Sequence, residues 1–297
     1  MKIQFENVDF NSRSGPNGFG LKLARNLIQK GHKINQNDFD VNLAFISTSK
    51  RYPKTVLRLD GIYFNTRSDW MSENKVIKES YDFSSLIIVQ SHFDKTLIER
   101  YFGKREGVYI VPNGTDTDLI EKIPPADLGI DREKVWMCAS SWRPHKRLKQ
   151  NIEFFQCHAG KDDIMIVAGK NPDYSANDDR VKYVGDLDWY QLISCMKSSK
   201  NFVHLAWLDH CPNVVVDAIA CNCFIYCANS GGTPELINNS NGKAVSEMIW
   251  DYSPVDLYSP PKIDYTKFED SIKNFNFLPK IEVASQKYIE ILTKASV

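Results

Sequence analysis

The fold is read from FVHLAWLDHCPNVVVDAIACNCFIYCANSGGTPEL, residues 202–236. FVHLA (202–206) is a short apolar run, the pattern of a parallel strand covered on both faces. Pro212 suits the first position of a helix, and the apolar residues after it sustain that helix to about Cys221. FIYCA (224–228) reads as the next strand, followed by the loop SGGTPE and a short helix at Pro234–Ile237. Strand–helix units joined by such short loops pack as a parallel sheet with helices on both faces.

The same alternation extends in both directions. Upstream within this half lie the strands VWMCAS (135–140), IMIVAG (164–169) and VKYVG (181–185), with helices near 147–157 and 188–197. An earlier series holds a strand at 1–8, the glycine-bearing segment SGPNGFG, the helical stretch LKLARNLIQKG and the strands VNLAFIS (41–47) and TVLRL (55–59). It continues with a polar helix at 69–82, SSLIIVQS (84–91), a helix from Phe93 to Phe102, and VYIVP (108–112). Residues 114–133 are polar, carry Pro124-Pro125 and read as the linker between two doubly wound domains. The final stretch IEVASQKYIEILTKA (281–295) has the apolar spacing of a long amphipathic helix.

Composition narrows the function. At 297 residues, about 150 residues per domain gives a prior of two domains. Thirty-seven basic and 37 acidic residues give zero net charge, which excludes a nucleic-acid coat built on surplus cations. A hydrophobic share of 42% and a charged share of 25% are those of a globular protein. No transmembrane segment and no signal peptide are read, so the expected location is cytoplasmic. All seven cysteines fall between Cys138 and Cys227. Their odd number and the lack of a C-x2-C pair favour core thiols over disulfides or a metal site, and no metal is expected.

Four segments could carry chemistry. In SGPNGFG, Gly15, Gly18 and Gly20 follow a strand and precede a helix, where glycine permits close approach of a ligand; an ordinary strand–helix turn reads equally well. SSWRPHKRLKQN (140–151) places Arg143, His145, Lys146, Arg147 and Lys149 just after a strand, where cations could grip a diphosphate. In WLDHCPNVVVDAIACN, the backbone N–H groups of Asn213, Val214 and Val215 at the helix start suit an anion. Asp209 and Asp217 flank that start and could hold hydroxyls of a sugar and a ribose. An acid at Asp217, between VVV and AIA, needs a polar partner. NSGGTPEL (229–236) offers Gly231, Gly232 and Thr233 as a second anion or sugar loop.

Taken in order, these segments resemble the retaining glycosyltransferases of group 1 (family 4), which have the GT-B fold. The resemblance rests on Asp209 and Asp217 at the positions of the family's acid–x7–acid motif, on AIACN after it, and on Gly231-Gly232-Thr233-Pro234-Glu235 as its G-G-x-P-E loop. Ser91–Phe93, Val111–Asp116 and the pair Arg143 and Lys146 match further elements. The motif acids are Asp here where the family usually has Glu, and the Arg stands three residues before the Lys instead of five. The resemblance implies two Rossmann-like doubly wound domains facing across a cleft. Residues 1–120 would be a reduced acceptor-side domain and 134–275 the nucleotide-sugar-binding domain. A helix at 280–297 would return to the first.

By that resemblance the chain would move a hexose-type sugar from a nucleoside-diphosphate sugar to a hydroxyl acceptor such as a glycan, with retention and without a metal or other cofactor. Asp209, Arg143 and Lys146 would be catalytic. Asp217, Gly15, Gly18, Asn213, Val214, Val215, Gly231, Gly232 and Thr233 would bind the donor, and Asp60 in RLDGIYF would lie on the acceptor side. Peripheral membrane contact and oligomeric state are left open. The competing readings are a nucleotide-sugar epimerase of the same fold, a non-catalytic nucleotide-sugar-binding protein, and a thiol or metal protein.

Overall fold

A computed structural model describes residues 1–12, 14–269 and 276–297. The last six residues of the 134–275 domain expectation therefore lie outside the described residues. The chain forms two compact units, one of Met1–Asp116, Tyr252–Val255 and Leu278–Val297, the other of Thr117–Asp251 and Asp256–Phe277.

In the first unit, strands β1 (Lys2–Glu6), β2 (Lys33–Ile34), β3 (Val41–Phe45), β4 (Thr55–Leu59), β5 (Leu86–Val89) and β6 (Val108–Ile110) form a parallel sheet in the order β2-β1-β3-β4-β5-β6. Its helices are α1 (Gly15–Gln29), α2 (Trp70–Phe83) and α3 (His92–Phe102). Each helix starts where its sequence supplies an end signal: Asp69 and Ser91 accept hydrogen bonds from the backbone N–H of Ser72 and Asp94 at α2 and α3. One expectation is corrected here. Gly15, Gly18 and Gly20 do not form a loop; they belong to the first two turns of α1, with Pro16 in its first turn.

The second unit starts with α4 (Thr117–Lys122) and continues as β7 (Val135–Ala139), α5 (Leu148–His158), β8 (Ile164–Ala168), β9 (Val181–Gly185), α6 (Trp189–Lys197), β10 (Asn201–His204), α7 (Asn213–Ala220), β11 (Phe224–Ala228) and β12 (Gly242–Val245). The parallel order is β12-β11-β10-β7-β8-β9. Residues 114–133 are not a bare linker: Ile120 and Ile123 are buried in the core of this unit, and the Lys197 ammonium donates to the carbonyls of Ile120 and Glu121.

Alternation along β7 shows why its sequence is a continuous apolar run. Val135, Met137 and Ala139 enter the core on one face of the sheet, while Trp136 and Cys138 enter the core on the other. Cys211, Cys221, Cys223 and Cys227 pack in the first of these cores, and all seven cysteines are free. Burial pushes the thiols of Cys138, Cys221, Cys223 and Cys227 up, so they sit as neutral core side chains.

The final helix, α8 (Ile281–Ser296), packs in the first unit. Ile281, Ala284, Tyr288, Ile291 and Leu292 join Ile3, Phe19, Leu23 and Leu43 in one core. Buried Ser285 donates to Asn26 Oδ1 at 2.5 Å, and Asn26 donates to Glu282 at 3.1 Å, which ties α8 to α1.

Candidate functional site

Strand order locates the site in the second unit. The chain winds outward from β7 through β8 to β9, then returns so that β10 lies on the opposite side of β7. The loops that leave β7 and β10 therefore diverge at a topological switch point, the position where open parallel sheets bind ligands. The β7 loop carries Arg143 and Lys146, and the β10 loop carries Asp209.

These loops are joined. The backbone N–H of Trp207 donates to the carbonyl of His145 at 2.7 Å. Lys146 Nζ lies 2.5 Å from Asp209 Oδ2, and His204 Nε2 lies 2.8 Å from the same oxygen. The amide of His210 donates to Asp209 Oδ1 at 3.1 Å. Burial works to raise the Asp209 carboxyl, but the Lys146 charge and the His204 hydrogen bond outweigh it and hold the group well below the usual carboxylate range. Burial keeps His204 neutral despite Asp209, so its proton is on Nε2 when it donates. His145 is pushed down to about 4 by burial and then by the Lys146 charge.

The third side is the loop after β11. Gly231 has φ +70, and a Cβ there would lie 2.2 Å from the Asp209 carbonyl oxygen. Gly232 donates its backbone N–H to that oxygen at 2.7 Å. The glycine pair thus grips the backbone of the motif acid. Gly169, which sequence reasoning passed over, does the same at the other edge: it has φ +119, and a Cβ would lie 1.7 Å from the Ser140 carbonyl. Its signal was its place at the end of the strand-like IMIVAG.

Four polar atoms of these loops are buried with no hydrogen-bond partner among the described residues: His145 Nδ1, Arg147 Nε, Trp207 Nε1 and Thr233 Oγ1. Buried polar atoms are seldom left so, and their grouping on adjoining loops makes this the candidate site for a polar ligand.

Asp217 is 3% exposed, and the partner its sequence position demanded is Trp189, whose indole N–H donates to Oδ2 at 3.0 Å. Asn213 and Val214 occupy the first turn of α7. Val215 differs from expectation, because its N–H donates to the Pro212 carbonyl at 3.0 Å.

The cationic cluster splits. Arg143 is exposed and has no ion pair among the described residues. Arg147 turns inward from a left-handed backbone (φ +55) and is 1% exposed. Its guanidinium pairs with Glu247 and donates to the carbonyls of Leu205 at 3.1 Å and Pro261 at 2.8 Å. It is therefore a core strut, not a surface cation. Lys149 lies 3.7 Å from Glu153 along α5.

In the first unit, Asp60 is not a plain turn residue. It pairs with the fully buried Arg58 and accepts from Gln90. Arg58 also donates to Asn113 at 2.8 Å and faces the rings of Phe19 and Phe45. Gly15 and Gly18 lie in α1 of this unit; the Gly18 N–H donates to the Ser14 carbonyl at 2.8 Å. Among the described residues, no group of three His, Cys, Asp or Glu is placed to hold a metal ion, and no helix is long and apolar enough to cross a membrane.

Two parallel doubly wound sheets, with a lysine and an acid meeting at the second one's switch point, define the α/β two-domain GT-B class. Residues 120–247, less than half of the chain, match the family model described as "Glycosyl transferases group 1", and the chain is similar to that family. No curated protein matches the chain in sequence. Among solved structures, it is similar to Anabaena Alr3699/HepE in complex with UDP-glucose, with 15% identity, 100% of this chain and 98% of that one covered, and a TM-score of 0.64. It is also similar to the sucrose-phosphate synthase (tll1590) of Thermosynechococcus elongatus, with 12% identity, 100% and 96% covered, and a TM-score of 0.68. WaaG, a glycosyltransferase involved in lipopolysaccharide biosynthesis, gives 10% identity, 99% and 93% covered, and a TM-score of 0.63. At these identities the likeness is one of fold.

Proposed function

We propose that the chain transfers a hexose-type sugar from a nucleoside-diphosphate sugar to a hydroxyl acceptor, with retention of anomeric configuration. The observation that carries this reading is the convergence of Lys146, Asp209 and His204 at the switch point of the second unit, within the segment that matches the group 1 family. The similarity to a fold solved with UDP-glucose supports a uridine nucleotide as the first probe.

Each residue then has a chemical task. Cleavage of the donor leaves a diphosphate with growing negative charge. Lys146 and Arg143 stabilise it electrostatically, the α7 amides of Asn213 and Val214 and the loop at Gly231–Thr233 add backbone and hydroxyl donors, and no resident metal is required. The buried, unpartnered Thr233 Oγ1 supports a donor contact there. Asp209 is held ionised, so it can accept from sugar hydroxyls and offset positive charge at the anomeric carbon. Asp217 binds the ribose. On the acceptor side, Asp60 Oδ2 is buried without a partner among the described residues and is the candidate to receive the acceptor hydroxyl. A glycan fits such an acceptor; the donor sugar and the linkage are for experiment.

The test is a thermal-shift panel of nucleotides and nucleotide sugars, followed by product analysis with the best ligand. A ligand at 100 times its dissociation constant adds about 2.7 kcal/mol of stability. A glycosylated acceptor of unchanged anomeric configuration supports the proposal. An epimerised free donor, or binding without turnover, replaces it with the corresponding alternative.

A further inference from the structure

We propose that His204 is a positioning residue that anchors the Asp209 carboxylate independently of Lys146, so that Lys146 can leave Asp209 for the donor diphosphate while Asp209 keeps its place. This rests on the glycosyl-transfer reading and assigns a task to a residue that touches no substrate.

Lys146 Nζ and His204 Nε2 meet the same oxygen, Asp209 Oδ2, at 2.5 and 2.8 Å. Only one of these two donors is in a position to change partners. The Lys146 side chain is 19% exposed and sits on a flexible stem, whereas the His204 side chain is 5% exposed and fixed at the end of β10. Leu208, at φ +56, reverses the chain so that Asp209 returns to the histidine five residues before it.

A diphosphate competes for the lysine. When it wins, Asp209, only 13% exposed, loses the Lys146 charge beside it. A nearly buried carboxylate without donors would swing after the lysine or take up a proton. The His204 N–H and the His210 amide, at 3.1 Å on Oδ1, prevent both, because two neutral donors suffice to keep the anion solvated and oriented. His204 thus separates the two duties of the site: the lysine serves the phosphates and the acid serves the sugar.

The variants are His204→Gln, which can place an amide N–H where Nε2 is, His204→Asn, whose amide falls at the Nδ1 position, and His204→Leu. Affinity for UDP is measured by calorimetry. Release of UDP from the best nucleotide sugar of the thermal-shift panel gives kcat and KM. For His204→Leu and His204→Asn, kcat should fall about 100-fold, the scale of a misplaced catalytic group, while the Kd for UDP stays within about threefold. His204→Gln should recover most of the lost kcat. Wild-type kcat in His204→Leu, equal loss of UDP affinity and turnover, or a Gln variant no better than Asn each overturn the proposal. If His204→Leu does not fold, the Gln–Asn comparison decides alone. Failure of the wild type to bind any nucleotide is a separate outcome that removes the glycosyl-transfer reading and this proposal with it.

Discussion

Gly231 and Asp209 are in backbone contact across two loops: a Cβ on Gly231 would sit 2.2 Å from the Asp209 carbonyl oxygen, which accepts the Gly232 N–H at 2.7 Å. The glycines of the second loop therefore shape the site by holding the main chain of its acid.

Gly231→Ala should consequently cost at least about 2 kcal/mol, from a left-handed backbone and a clash that no side-chain motion relieves. Urea unfolding measures the loss. An alanine variant of wild-type stability would show that the contact yields freely.

Lys146→Met keeps the length of the stem and removes its charge. It should lower sugar transfer or donor hydrolysis by about 10²–10³-fold, the range seen when one stabiliser of developing charge is removed. The protein should still unfold cooperatively, because His204 continues to bond Asp209. Steady-state kinetics with the preferred donor gives the answer, and wild-type rates would remove Lys146 from the mechanism.

Arg147 and Glu247 form an ion pair with both side chains 0% exposed. Glu247→Gln leaves the guanidinium buried without its anion and should destabilise by about 3–5 kcal/mol. Arg147→Lys should be nearly as harmful, since an ammonium cannot reach Glu247, Leu205 and Pro261 with one planar fork. Chemical denaturation distinguishes these losses from the small effect expected of a surface pair such as Lys149–Glu153.

Acid sensitivity should come from histidines. Burial, then the Lys146 charge, lowers His145 to about 4, and burial lowers His204. Both bind protons more readily unfolded than folded, so their contribution is fully present above an unfolded pKa of about 6.5 and is lost as pH falls toward the folded values. Asp209, held low, keeps its contribution over most of that window and begins to lose it only at the acid end, as pH nears the ordinary carboxylate range. Unfolding free energy should fall between pH 6.5 and about 4, by up to about 1.4 kcal/mol per pH unit for each histidine. His145→Gln should flatten the slope; an unchanged slope would assign the effect elsewhere.

Much of this architecture could be read from local pattern. The apolar runs at 135–140, 164–169, 202–206 and 224–228 became strands because both faces of a parallel sheet are covered. Asp217 announced a buried partner, but not which one: Trp189 begins a helix 28 residues earlier and reaches it only through the order of the strands. Arg147 looked like its neighbours Arg143 and Lys146 because charge alone does not tell which side a residue faces. A left-handed φ turned it inward to a glutamate 100 residues away. The glycines at 15, 18 and 20 suggested a loop by composition, yet with Pro16 in the first turn and the apolar face of Phe19, Leu23 and Leu27 the helix starts at Gly15 and includes all three. The polar stretch 114–133 concealed α4, whose Ile120 meets its core only in the folded unit.

The return of α8 to the first unit also dictates an order of assembly. Ile281, Tyr288 and Leu292 complete a hydrophobic interior whose other buried members, from Ile3 through Phe19, Leu43, Val56 and Ile88 to Val111, all lie more than 160 residues earlier in the chain. During synthesis those members emerge long before their last partner, while the second unit can condense as soon as its own strands are made. The N-terminal half must wait, incompletely covered, for the ribosome to deliver the closing helix, and its apolar surface stays open in the meantime.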